Sequence, residues 1–134
     1  MRNLVTQMVG PVLILYQSES DPSDKEWDEC MKLLTAALNK GLAIKVLVRT
    51  HGGAPTAIQR RRLKDTLADR PIPVAVISDN VKARFTSVAV ALLNRGHRSF
   101  AESELEQAYA HLRLTSEEKN RAGEALKAMG LLLR

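Results

Sequence analysis

The sequence predicts an α/β fold: a mainly parallel sheet of four or five strands, an antiparallel hairpin at its N-terminal edge, helices packed on it and an extra C-terminal helix. Three observations predict it. Short apolar runs, with Val12-Leu13-Ile14-Leu15-Tyr16 the strongest, read as strands covered on both faces. Segments of helical period follow the strands, several opening on a capping signal. Strands alternating with helices at short intervals call for right-handed crossovers in a parallel sheet. At 134 residues the chain has the length of a single domain, read here as a core over residues 3–112 followed by a terminal helix over 115–133.

Asn3 to Met8 and Val12 to Gln17 are the first two strands, joined by a turn at Val9-Gly10-Pro11. Ser23 with Glu26 forms a capping box that starts a helix whose buried face is Trp27, Met31, Leu34 and Leu38, and Lys40-Gly41 stops it. Ala43 to Val48 is the next strand. The loop Thr50-His51-Gly52-Gly53-Ala54-Pro55-Thr56 follows directly, and Thr56 with Gln59 opens a second helix with Ile58, Leu63 and Leu67 inward, ending at Arg70-Pro71. Pro73 to Ile77 is a further buried strand, with Ser78 and Asp79 as cap candidates for a helix over Val81 to Asn94 that carries Val81, Phe85, Val88, Ala89 and Leu92 on one side. His97-Arg98-Ser99-Phe100 is a short strand, Ser103 with Glu106 a third capping box, and Leu105, Ala108, Tyr109 and Leu112 an inward face. Thr115 with Glu118 opens the last helix, which buries Ala122, Ala125, Leu126, Met129 and Leu133; Leu131-Leu132-Leu133 packs on the domain or joins a dimer or partner interface.

Composition narrows the function classes. The chain is 45% hydrophobic and 26% charged, which argues against disorder and fibrous classes. No run approaches the roughly 18 apolar residues of a membrane span, and the polar Asn3, Thr6 and Gln7 interrupt what a secretory signal needs, so a soluble cytoplasmic protein is expected. Cys30 is the single cysteine and is read as a buried thiol. The net charge of +5 suits an acidic partner, nucleic acid or an anionic membrane surface without choosing among them, but at 4% aromatic residues the chain lacks the stacking platform of a single-strand nucleic-acid binder. The scattered His51, His97, His111 and Cys30 have no metal-ligand spacing, and neither a metal nor a cofactor is expected.

The order of these segments resembles the STAS family, the fold of bacterial anti-sigma factor antagonists and of the cytoplasmic domains of sulfate transporters. Lys45-Val46-Leu47-Val48-Arg49-Thr50 ahead of a loop and helix is similar to the strand leading into that family's regulatory loop. Arg98-Ser99-Phe100-Ala101 before Glu104-Leu105-Glu106-Gln107-Ala108 is similar to the ending of SpoIIAA-like members. The resemblance covers roughly residues 3–112, and the stretch from Asp24-Lys25-Glu26-Trp27 to Gln59-Arg60 looks like a group of small bacterial STAS-like proteins. It implies regulation through protein–protein contact. The anti-sigma antagonists carry an acidic residue and a phosphorylatable serine at this loop; here Thr56 is the hydroxyl at the helix start and the candidate modification site.

In open α/β sheets ligands sit beyond the carboxyl ends of the strands. The candidate ligand or partner site is therefore Thr50, His51, Gly52, Gly53, Thr56, Arg60 and Asp79. Gly52-Gly53 would let amides approach an anion, with the helix N-terminus and Arg60 beside them; alternatively the glycines form a tight turn and Thr56 is a cap. His51 with Asp79 is the pair an enzyme would need, but nothing places a nucleophile beside them, and no catalytic residue is expected. Arg60-Arg61-Arg62 with Lys64 fans around its helix, partly as solvated surface with an Arg61–Asp65 pair and partly as a contact for an acidic protein or lipid headgroup. The leading expectation is a regulatory or adaptor domain with a protein partner. The alternative is a small-molecule or lipid-binding module of the STAS/CRAL-TRIO type.

Overall fold

The computed structural model describes residues 2–83 and 96–133. Five strands, β1 (Leu4–Val9), β2 (Val12–Gln17), β3 (Lys45–Thr50), β4 (Val74–Ile77) and β5 (His97–Phe100), lie side by side in chain order. β1 runs antiparallel to β2, and every later pair is parallel. The helices are α1 (Asp24–Asn39), α2 (Ala57–Leu67), α3 (Leu105–His111) and α4 (Ser116–Leu132). Residues 81–83 are helical; the remainder of the helix expected over Val81 to Asn94, with Phe85, Val88, Ala89 and Leu92, lies outside the described residues.

The hairpin turn is Gly10-Pro11, with Val9 opposite Val12. Gly10 takes a φ of +58°, which suits a residue without a Cβ, and proline fixes the next φ. β2 then feeds both faces of the sheet. Val12, Ile14 and Tyr16 face α3 and α4, in a core with Leu47, Ala75, Ile77, Tyr109, Ala122 and Met129. Leu13 and Leu15 face α1 and α2, with Trp27, Cys30, Met31, Leu34 and Leu67. All six β2 residues are buried, as its unbroken apolar run requires. Emptying one such position, as in Ile14→Ala, costs about 2–5 kcal/mol.

The boxes at Ser23/Glu26, Thr56/Gln59 and Thr115/Glu118 form as expected, each hydroxyl accepting from the amide three residues on. Four readings are corrected. Ser103 does not cap α3: the chain enters through a 3₁₀ turn over Glu102–Glu104, and the Glu104 carboxylate reaches back to the Ala101 N–H at 2.8 Å. Asn80, rather than Ser78 or Asp79, caps the helical turn at 81–83, its Oδ1 accepting from Ala83 N–H at 3.1 Å. Ile58 is not inward but 79% exposed, because Gln59 takes the buried place on α2. α2 also stops at Leu67, before Arg70-Pro71, where Ala68 and Asp69 both turn left-handed.

α1 and α2 are locked by polar groups as well as by packing. The Trp27 indole N–H donates to the Gln59 carbonyl at 3.0 Å, and Gln59 Nε2 donates to Pro22 O at 3.0 Å and Asp24 Oδ1 at 3.1 Å. At the C-terminal end Leu133 packs on the core, while Leu131 and Leu132 are 66% and 59% exposed.

Candidate functional site

Pairing with β2 extends β3 two residues past the expected end, so that Arg49 faces Tyr16 and Thr50 faces Gln17. The loop begins there, and its amides are already committed. His51 N–H donates to Gln17 O at 3.1 Å, Gly53 N–H to Ser18 O at 2.9 Å and Ala54 N–H to Asp21 Oδ1 at 3.1 Å. Gly52 N–H donates to Thr50 Oγ1 at 3.1 Å and Thr56 N–H to Gln59 Oε1 at 3.0 Å. Pro55 has no N–H to offer. An anion at Gly52-Gly53 would have to displace bonds the fold uses, so the loop is a brace rather than an open amide nest.

The side chains extend that brace. Thr50 is buried and donates from Oγ1 to Gly53 O at 2.6 Å. A Cβ at Gly53 would run into the Ser18 and Ser20 carbonyls, which is why glycine stands there. Arg60 folds back, donating from Nη1 to Pro55 O at 2.8 Å. Thr56 stays exposed at the helix start, its Oγ1 accepting the Gln59 N–H at 3.2 Å.

On the other face of the sheet a second group gathers at the same end. The Tyr16 hydroxyl lies 2.9 Å from His51 Nε2, and the Arg49 guanidinium sits over the Tyr16 ring, 5.6 Å from its centroid. Arg49 also grips Glu102 with two nitrogens, Nε at 3.0 Å and Nη2 at 2.8 Å. Asp79 Oδ1 accepts the Glu102 N–H at 2.9 Å. Arg49 and His51 therefore separate two open clefts, one of about 550 Å³ with Asp79 and Glu102, the other of about 500 Å³ with Tyr16, Ser18 and Glu19. His51 and Asp79 border the same cleft, where His51 Nε2 meets the Tyr16 phenol and Asp79 Oδ1 accepts the Glu102 amide.

Tyr16, Arg49 and Glu102 enter the site only in three dimensions. Their signal in the sequence was faint: a polar-tipped or charged residue near the carboxyl end of an apolar strand, in a row that pairing alone aligns.

The chain matches no protein-family model, no curated protein and no solved structure. What stands is an α/β fold with a mixed sheet and helices on both faces.

Chemistry elsewhere is limited by burial and pairing. Burial pushes the Cys30 thiol up to about 12, so it stays protonated and unreactive at neutral pH. Within the basic run Arg62 is ion-paired with Asp28 on α1. Among the described residues no group of three or more His, Cys, Asp or Glu is placed to hold a metal ion, and no helix is long and apolar enough to cross a membrane. Between the sheet and α1 and α2 lies a cavity of about 90 Å³, lined by Leu15, Gln17, Trp27, Cys30, Val48 and Leu63 among others. Pockets for drug-sized ligands or lipids run to roughly 300–1,000 Å³.

Proposed function

We propose that the chain is a STAS-like regulatory or adaptor domain that binds another protein through the Thr50 to Thr56 loop and the exposed side of α2. One observation carries this reading: Ile58, 79% exposed, stands beside the exposed hydroxyl of Thr56 on a helix start fixed by internal hydrogen bonds. A pre-ordered apolar anchor loses little conformational entropy on docking. Exposed Arg61 and Lys64 on the same helix suit an acidic partner surface, and a phosphate on Thr56 would alter that surface at the helix N-terminus without a new fold.

Affinity capture after cross-linking tests the location. Thr56→Glu and Ile58→Glu are expected to abolish recovery of the partner while the circular dichroism spectrum is unchanged, and Leu132→Glu at the far end of α4 is expected to leave recovery intact. Arg60→Glu is a poorer probe, because Arg60 braces the loop through Pro55. Recovery that survives both loop changes and fails with Leu132→Glu would move the interface to the C-terminal helix.

A further inference from the structure

Gln17 is the last residue of β2 and turns to the same side of the sheet as Leu13 and Leu15. It is 2% exposed, and its Nε2 has no hydrogen-bond partner. A buried amide N–H left unpaired costs about 1–3 kcal/mol, so such a group calls for an explanation. This one borders the cavity of about 90 Å³ beneath α1 and α2.

Among the described residues the rest of that wall is apolar or already engaged, His97 included. Leu15, Val48, Met31 and Leu63 offer no hydrogen bond, the Trp27 N–H is used by Gln59 O, and the Thr50 hydroxyl is used by Gly53 O. Among the described lining residues, Gln17 Nε2 is the buried side-chain donor left without a partner, at the end nearest the loop of a mainly apolar cavity. A cavity of about 150 Å³ lined by aliphatic and aromatic groups stays dry and holds benzene; one of 90 Å³ takes a smaller molecule.

We propose that this cavity is a binding site for a small neutral molecule with a short aliphatic body and a single carbonyl oxygen, which accepts the hydrogen bond from Gln17 Nε2. The site is separate from the docking face proposed above, though Gly53, Ala54 and Pro55 form part of its wall. A single bound water would satisfy the donor but leave most of the apolar volume unfilled.

The test compares 2-butanone with 2-methylbut-1-ene, in which a methylene replaces the carbonyl oxygen at nearly the same shape. Each is titrated into the intact protein while the Gln17 side-chain NH₂ signals, assigned by their loss in Gln17→Leu, are followed in ¹H–¹⁵N spectra. The ketone is expected to shift those signals saturably and to bind about tenfold more tightly than the alkene, the worth of one net hydrogen bond. In Gln17→Leu, read through the Trp27 indole signal, that preference is expected to reverse in favour of the alkene, because the ketone oxygen would then be desolvated with no donor to meet it; Gln17→Met serves as a second donorless variant should leucine disturb the packing. Equal binding of the two molecules, no saturable binding, or a long-lived water at the Gln17 amide that the ketone does not displace would each overturn the proposal.

Discussion

The indole N–H of Trp27 on α1 donates to the main-chain carbonyl of Gln59 on α2 at 3.0 Å, and the side chain of Gln59 returns two bonds to the chain just ahead of Trp27. The two helices are thereby fastened by one residue that is polar and 3% exposed.

Gln59→Ala is therefore expected to cost more than a surface glutamine would. It leaves Pro22 O and the Thr56 N–H without their partners and opens space between the helices. The expected loss is about 2–3 kcal/mol in urea unfolding, with a shift of Trp27 emission in the native baseline. A loss under about 0.5 kcal/mol, typical of an unconstrained surface site, would show that the helices hold together by packing alone.

Gln17 predicts the opposite sign. Its Nε2 is buried without a partner, so Gln17→Leu exchanges an unsatisfied donor for an apolar group beside Leu15 and Val48. An increase in stability of about 1–2 kcal/mol is expected, read as a higher urea midpoint at constant slope. Destabilisation would mean that the amide is in fact satisfied in the folded protein.

The strands and α1 were legible in the sequence because their signals are local: an unbroken apolar run in β2, and a capping box followed by apolar residues at helical spacing in α1. Hydrophobic period points Ile58 inward on α2 because it assumes that the inner contact is apolar, whereas Gln59 makes it with hydrogen bonds. Ser103 matched the spacing of a cap, but Glu104 gained more by reaching back to Ala101. The loop was found by its glycines, yet the state of its amides was not, since Ser18 and Asp21 are supplied by the segment after β2. Tyr16, Arg49 and Glu102 come from three parts of the chain, and only sheet register and the exit of β5 bring them together.

Thr56 separates folding from recognition. Its hydroxyl caps α2, so Thr56→Ala is expected to cost about 1 kcal/mol, while Thr56→Ser and Thr56→Asp keep an oxygen for the Gln59 N–H and stay near the native stability. Thermal unfolding of the three variants checks the order. If Thr56→Asp is as stable as the native chain yet fails in partner capture, the defect belongs to the docking surface; if Thr56→Ala unfolds at the native temperature, the cap contributes nothing measurable.

Stability is expected to fall in two stages on acidification. Burial, reinforced by the charge of His111, lowers His97 from 6.5 to about 4. The folded protein thus favours the neutral ring, and between pH 6.5 and 4 the unfolded chain binds more protons. The contribution of His97 is complete above pH 6.5 and is lost as the pH falls toward 4. The second stage comes from carboxylates. Burial acts to raise Glu26, but the N–H groups of Ser23, Leu4 and Asn3 outweigh it and hold the group below 4.5. Glu118 is also lowered, first by the Thr115 N–H and, against some desolvation, by Lys45. Their stabilisation is complete above pH 4.5 and disappears as each folded-state value is passed. Melting temperature measured from pH 7.5 to 3 checks both stages. His97→Gln is expected to flatten the curve between pH 6.5 and 4.5 and keep the fall below it, whereas Glu26→Gln is expected to weaken the fall below pH 4.5. A His97→Gln curve parallel to that of the native chain would show that the imidazole is as free to protonate in the folded state as in the unfolded one.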